Sequence, residues 1–531
     1  MHSRRMVLDK RFYFFNTENQ YYCFDSYTHK IFTLSEELLF LLKNKQYKNI
    51  KQKYKKFYNK ILIKKHFKAK VASDNNCTVT INLSNKCNLS CLYFYRDKKQ
   101  KSELSNEELK KIIHYIITKY QPYAKQYIFS LSYTSESSFD LDKLKYFDFL
   151  IGENEGYLFS KKQISQKKAL RIFKQLPKTI QEKYLLEKNY IERLNQILRN
   201  EKLWNIFNYS NNTYLVSTLS KFKNPSYSRS IMANRQILNY IFSKYKIETT
   251  INYFSMSFMT NATNISENYI QLLQSIFCDS IYVSLDGPGY IHNQNRKFHN
   301  GLGSFKDTIK GIEKLKAAGI NVIPSAVITP QNSDLEPIIS FFISLGFNKI
   351  SFNLVRGKNI TFTKTSIDIL LNSIKKYFLK FFEDAKSNTI SKDLLILKDT
   401  IIFTYLKQLY YRNYTTTRCT WGKDLVIDSK GNLYHCNSTI GQKEDFLGHF
   451  SDNKIKKQLM ETNKISKSQK CKNCFAEYLC GGTCFAEKVF HNEQNQEMEC
   501  YFHMELIKEN LILYAKLFNN KLLDEFMKII K

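Results

Sequence analysis

Seven cysteines near the carboxyl end constrain this chain more than any other feature. Cys471-x2-Cys474-x5-Cys480-x3-Cys484 is followed by Cys500 and preceded by Cys419 and by Cys436, which four residues separate from Gly431. Thiols at such intervals either bridge one another or gather around metal. Bridges belong to small secreted proteins, whereas this chain has 12 cysteines in 531 residues, nine of them in two spaced groups. Metal clusters fit better. The pair Cys471-x2-Cys474 taken alone would also suit zinc. The segment from Gly431 to Cys436 reads as a hairpin that delivers Cys436. Gly481 and Gly482 permit the tight bend between Cys480 and Cys484.

The rest of the composition narrows the class. At 63.0 kDa and 43% hydrophobic content the chain can bury the cores of two to four domains. The start, Met1-His2-Ser3-Arg4-Arg5, does not lead into an apolar signal region, and no run of about 18 apolar residues could span a membrane. A soluble, cytoplasmic protein without a membrane partner is expected. The formal charge of +33 would attract nucleic acid, an anionic membrane or an acidic peptide. That excess is spread along a chain with only 16 Gly and 7 Pro, which points to nucleotide bias in the genome, and nucleic acid is not expected as a partner.

Along the chain, residues 1–76 read as a small module. It has strands at Arg11–Phe15 and Tyr21–Phe24, a turn at Asn16-Thr17-Glu18-Asn19, and a helix opening at Ser35-Glu36-Glu37-Leu38. From Cys77 strand and helix patterns alternate. Strands are expected at Thr78–Leu83, Tyr127–Tyr133, Ser280–Leu285, Asn321–Ile328 and Lys349–Leu354, and helices at Asn106–Lys119, Ser304–Ala318 and Leu335–Leu345, with Gly319 and Gly346 as stops. That order predicts an α/β fold with a parallel sheet and ligands at the C-terminal strand ends. Residues 152–245, with helical spacing at Lys167–Leu176 and Lys183–Leu198, read as a helical insertion. Residues 359–415 read as a helical bridge and 416–531 as a separate cysteine-rich domain.

The seven-cysteine pattern resembles SPASM, the auxiliary-cluster domain that ends many radical S-adenosylmethionine (SAM) peptide maturases, and it covers about the last 115 residues. The resemblance implies two auxiliary [4Fe–4S] clusters, whose irons are held by soft thiolates. Cys471, Cys474, Cys480 and Cys500 would hold one; Cys419, Cys436 and Cys484 would hold part of the other. No eighth cysteine lies nearby, so its last iron is open to a substrate thiolate or to another residue.

Further upstream, Cys87-Asn88-Leu89-Ser90-Cys91-Leu92-Tyr93-Phe94 resembles the radical SAM signature Cys-x3-Cys-x2-Cys with Phe94 in place of the third cysteine. Ser284-Leu285-Asp286-Gly287-Pro288, His292, Arg296 and Gly301-Leu302-Gly303-Ser304-Phe305 resemble a run found in the same maturases. The Gly-Gly-Glu-Pro motif is represented by Thr134-Ser135-Glu136-Ser137, or in another register by a stretch ending at Pro225 that also lacks it. The Thr-Asn-Gly turn is represented by Thr260-Asn261-Ala262. Replacing glycines with residues that carry a β-carbon narrows such a cleft.

By this resemblance the fold is a partial (β/α)6 radical SAM barrel at 77–358, with an N-terminal module similar to leader-peptide-binding winged helices. Cys87 and Cys91 would hold a third [4Fe–4S] cluster with an unidentified third ligand. Tyr93, Glu136, Asn261, Ser284 and Arg296 would contact SAM, and Asp286 is the candidate for a direct catalytic role. Cleaved SAM would give a 5′-deoxyadenosyl radical that acts on a ribosomally made precursor peptide and forms a crosslink such as a thioether. Electrons would come from a donor such as flavodoxin or ferredoxin. Two other readings stay open: a pseudoenzyme that binds peptide or relays electrons without cleaving SAM, and a nucleic-acid-modifying iron–sulfur protein. Cys77 is a substitute ligand or a small core residue; Cys23 and Cys278 read as structural. His435 and His503 are either ligands or donors to cluster sulfurs, or solvent-facing.

Overall fold

A computed structural model describes residues 11–58, 76–93, 102–120, 126–131, 136, 138, 140–154, 156–160, 205–210, 213–217, 249–252, 254–275, 278–357, 360–415, 424–452 and 469–531. Its strands are β1 Phe12–Thr17, β2 Gln20–Asp25, β3 Lys30–Leu34, β4 Asn76–Ile81, β5 Gln126–Leu131, β6 Gly156–Ser160, β7 Asn205–Ser210, β8 Thr213–Ser217, β9 Thr249–Asn252, β10 Phe254–Thr260, β11 Cys278–Ser284, β12 Val322–Ile328, β13 Ser351–Leu354, β14 Leu425–Ile427, β15 Asn432–Tyr434 and β16 Phe446–His449.

The central sheet runs β13-β12-β11-β10-β5-β4-β14-β15-β16. From β4 to β13 every pairing is parallel and the strands follow chain order. Parallel neighbours need crossovers, and helices supply them. Asn106–Tyr115 begins at a capping box between Ser105 and Glu108 and buries Leu109, Ile112 and Ile113. Phe305–Ala317 and Glu336–Ser344 end where Gly319 and Gly346 adopt positive φ, as their spacing predicts. Alternate residues of β4 and the turn beyond it, Cys77, Val79, Ile81 and Leu83, are all enclosed.

Two expectations need correction. The N-terminal hairpin gains a third antiparallel strand, β3, before the helix Glu36–Lys43, whose N-cap Ser35 accepts from Leu38 N–H. The 152–245 insertion, read as helical, is strand wherever it is described beyond residue 154. There β6, β7 and β8 join β9 in an antiparallel sheet of order β7-β8-β6-β9. Aromatic and branched runs such as Tyr157-Leu158-Phe159 and Tyr214-Leu215-Val216 carry that tendency within the Lys- and Asn-rich stretch. The helical spacings at 167–176 and 183–198 lie outside the described residues.

Beyond β13, helices Lys364–Lys386 and Ile401–Tyr411 pack against the 27-residue helix Glu493–Asn519. The cysteine-rich region is continuous with the main sheet: β14 pairs in parallel with β4, and Ile427 C=O accepts from both the backbone and the side chain of Asn82, at 2.9 and 3.1 Å. One core therefore runs from Ile81 through Ile427 to Leu506 and Leu511.

Candidate functional site

The loop that carries Cys87 and Cys91 leaves the C-terminal end of β4, and three neighbouring loops hold it, two of them by its backbone. Glu136 N–H donates to Lys86 C=O at 2.7 Å, Ser90 N–H to Lys297 C=O at 2.7 Å, and Leu92 N–H to Asn295 C=O at 3.0 Å. Leu89 forms a bridge with Phe298, and His299 Nε2 lies 3.1 Å from Cys87 C=O. Asn261 Nδ2 donates to Asn88 Oδ1 at 2.8 Å and lies 3.9 Å from Cys87 Sγ. Four strand ends thus converge on two thiols. Phe94 lies outside the described residues.

Asp286, beyond the end of β11, is completely enclosed. It accepts from Arg296 Nε and Nη2 at 3.0 and 3.1 Å, from Tyr93 hydroxyl at 2.8 Å and from Val327 N–H at 3.0 Å. A carboxylate has about four lone-pair positions, and four donors fill them. The geometry is that of a tie between the cysteine loop and β12. Burial above all keeps the Tyr93 hydroxyl protonated. His292 Nδ1 accepts from Asp286 N–H at 3.4 Å, its Nε2 lies 3.0 Å from Ser304 Oγ, and Ser304 donates to Arg296 C=O at 3.0 Å. Burial lowers the His292 pKa to about 4, so the ring is neutral in this chain of bonds. A β-carbon on Gly303 would collide with Asn293, whose Oδ1 holds Phe305 N–H.

Glu136 is equally occupied. Its carboxylate accepts from Thr260 hydroxyl, from Asn261 N–H at 2.6 Å and from Ser138 N–H at 3.3 Å. Burial raises its pKa although these donors oppose the rise. The residue expected to touch SAM therefore braces the turn after β10. Within that turn Ala262 has φ +58° and is fully enclosed, so the backbone keeps a form that glycine adopts more readily. Gly311 is required beneath it, because a β-carbon there would strike Ala262 C=O. Asn261 Oδ1 accepts from Thr263 N–H and hydroxyl at 3.0 and 2.7 Å. Ser284, half-buried, ends β11 beside Ser325.

In the C-terminal domain, Gly431, with φ +81°, turns β14 into β15 and leads to Cys436. Gly481 and Gly482, at +73° and +105°, bend the chain between Cys480 and Cys484. Burial first, then the nearby Cys480, Cys500 and Cys471, pushes the Cys474 pKa up to about 11, which puts those three thiols within electrostatic reach of Cys474. Cys436 packs beside Cys484, whose pKa burial likewise raises to about 11. The ten described cysteines are thiols rather than disulfides, and among the described residues no three Cys, His, Asp or Glu side chains close around a single ion position. Zinc would need its sulfurs within about 2.3 Å of one point, whereas a cubane spreads its ligands over its corners. Cys419 and Cys278's side chain lie outside the described residues.

A cavity of about 490 Å³ opens beside Cys436, Cys480 and Cys484 and is also lined by Arg356, Tyr405 and Glu499. Arg356, two residues beyond β13, was missed in the sequence. Cys484 above all, followed by Glu499 and Cys436, keeps it charged despite burial. Cys77 faces the core at the far end of β4 from the cysteine loop, about 13 Å or more along the strand, with burial raising its pKa to about 12. Cys23 is enclosed in the N-terminal module. His435 and His503 are buried and bonded to Asp445 and Tyr405 at 2.8 and 2.6 Å, which corrects their solvent-facing reading.

No family model matches the chain. Among curated proteins, 266 residues are 24% identical to the cysteine-type anaerobic sulfatase-maturating enzyme of Clostridium perfringens strain 13, covering 48% of this chain and 70% of that one. The corresponding enzyme of Clostridium novyi is 25% identical over 300 residues, covering 52% and 76%. An uncharacterized protein of Synechocystis is 24% identical over 284 residues, covering 49% and 69%. The solved structure of native anSMEcpe with bound AdoMet overlays at TM-score 0.53 and 17% identity, over 85% of this chain and 100% of that one. This chain is similar to radical SAM maturases. The same anSMEcpe with AdoMet and the Cp18Cys peptide overlays at 0.52 and 16% identity, over 85% and 99%. The mixed α/β fold with its parallel sheet is thus similar to that of anSMEcpe, and no helix among the described residues is long and apolar enough to cross a membrane.

Proposed function

We propose that this protein is a radical SAM maturase of the auxiliary-cluster kind that modifies a ribosomally made peptide. One observation carries the reading: β14 of the cysteine-rich domain is hydrogen-bonded along β4, the strand that delivers Cys87, so both cysteine sites share one sheet. Parallel strands in chain order support a partial (β/α)6 barrel, and relatives crystallised with AdoMet and peptide support those ligands. Residues 77–358 are then the radical SAM core, 416–531 the SPASM domain, and 1–76 a leader-binding candidate. A reducing cytoplasm and a donor such as flavodoxin or ferredoxin suit such thiols.

The residues fit the groups unequally. At the carboxyl end, mutually close thiols, glycine bends and a buried cation match the donor chemistry of iron–sulfur clusters, with Cys471, Cys474, Cys480 and Cys500 for one and Cys436 and Cys484 with Cys419 for the other. When bound, such clusters supply one-electron chemistry or a site for a substrate thiolate. At the first loop the described donors are two thiolates, short of the three that a SAM-cleaving cluster uses. Moreover, Glu136, Asp286 and Arg296 are spent on one another and on the scaffold. This favours a second reading, a partner that binds peptide or relays electrons without cleaving SAM.

Iron and sulfide counts after anaerobic reconstitution, alongside a 5′-deoxyadenosine assay under dithionite, separate the two. Three clusters and SAM cleavage in the unaltered protein support the maturase. Two clusters without cleavage, with four more irons and new cleavage in Phe94→Cys, support the partner. Iron-free protein defeats both.

A further inference from the structure

The guanidinium of Arg356 stands where the last parallel strand meets the cysteine-rich domain, and it is under-used. Its Nε is buried with no hydrogen-bond partner, and Nη2 lies 3.8 Å from Glu499 Oε1, too far for a hydrogen bond. Glu499 in turn spends its other oxygen on Cys484 N–H at 2.9 Å. Five fixed donors facing a cavity of about 490 Å³ call for an anion there. The cavity wall names it: Cys436 and Cys484 open on the same space, and so does Thr415, which Tyr478 C=O anchors at 2.9 Å.

Building on the auxiliary-cluster reading above, we infer that Arg356 is a positioning residue for the cluster held through Cys436 and Cys484, donating to its sulfurs and raising its reduction potential, with Glu499 acting in the opposite sense. The physical basis is charge. One-electron reduction makes the cluster more negative, so a cation in contact stabilises the reduced form and a neighbouring carboxylate opposes it. Glu499 also tethers the loop of Cys484, which fixes the distance between that thiolate and the guanidinium. Cys480, of the set assigned to the other cluster, also borders the cavity, but the thiols that act on the guanidinium are Cys484 and Cys436, so that other cluster serves as the internal reference.

The test is an EPR-monitored redox titration of anaerobically reconstituted full-length protein, with iron counted, for the unaltered chain, Arg356→Gln, Arg356→Lys and Glu499→Gln. One auxiliary signal should move to lower potential in Arg356→Gln, stay near its original value in Arg356→Lys and move higher in Glu499→Gln, while the other signal stays put. Loss of about four irons in Arg356→Gln but not in Arg356→Lys would speak for the same contact. Full iron with no displaced signal, shifts of equal sign in Arg356→Gln and Glu499→Gln, or equal iron loss in both arginine variants would overturn it. An unaltered protein without iron would instead remove the cluster reading itself.

Discussion

Glu136, expected from the sequence to contact SAM, also carries structural work in the fold. Its place after β5 was legible from the fragment Thr134-Ser135-Glu136-Ser137, but two of its three partners, Thr260 and Asn261, were not, because they come from a turn more than 120 residues away. Three donors converge on that buried carboxylate. Glu136→Ala would leave them unanswered and should lower stability by about 2–4 kcal/mol, while Glu136→Gln should lose less. Chemical denaturation of the two variants measures this; a change under about 0.5 kcal/mol in the alanine variant would show that the turn holds itself. The same limit applies to Ala262, whose loss of glycine was read as a narrowed cleft. The turn keeps its left-handed backbone instead, since Glu136, Thr308 and the space above Gly311 fix it.

Among the elements, the parallel array was legible because burial on both faces writes apolar runs for strands and a 3.6-residue period for helices. The strand β3 was not, since five residues with two exposed side chains carry too little pattern. What secures β3 is tertiary: one face of the three-stranded sheet, with Phe12, Cys23 and Leu34, packs on Leu38 and Leu42, and the other meets the main body. There Tyr13 stacks on Phe475 at 4.2 Å, between Cys474 and Cys480, and His29 lies against Tyr414 at 4.2 Å.

His29 supplies a pH test of that docking. Burial lowers its pKa to about 4, and Asp25, itself paired with Arg11, opposes this; the backbone of Gln408 is near, yet neither ring nitrogen reaches a hydrogen-bond partner. A histidine held neutral contributes stability above its unfolded pKa near 6.5, and that contribution fades as pH falls toward about 4, by up to about 3 kcal/mol. Hydrogen-exchange protection across residues 11–58, corrected for the intrinsic exchange rate at each pH, should therefore fall between pH 6.5 and 4, with a weaker dependence in His29→Asn, a residue that tolerates the local φ of +50°. Equal pH dependence in both proteins would remove His29 from the account.

For the whole molecule, the sequence divides naturally at residue 416, where the cysteine spacing begins, whereas the physics does not divide there. Cysteine spacing is local and readable, but the pairing of β14 with β4 joins residues about 345 positions apart and leaves no periodic trace. Leu511 on the last long helix, Ile427 on β14 and Cys77 on β4 are all fully enclosed in one core. Leu511→Ala should cost about 2–5 kcal/mol. If that core is one cooperative unit, the cost must appear at Cys77, far along the chain, as faster thiol labelling resolved by mass spectrometry. At about 3 kcal/mol the acceleration is roughly a hundredfold, because each 1.4 kcal/mol is a factor of ten in the open population. A Cys77 that labels at its original rate while Cys480 and Cys484 speed up would mean that the cysteine-rich region opens by itself, and β14 would then be a detachable edge rather than the seam of the fold.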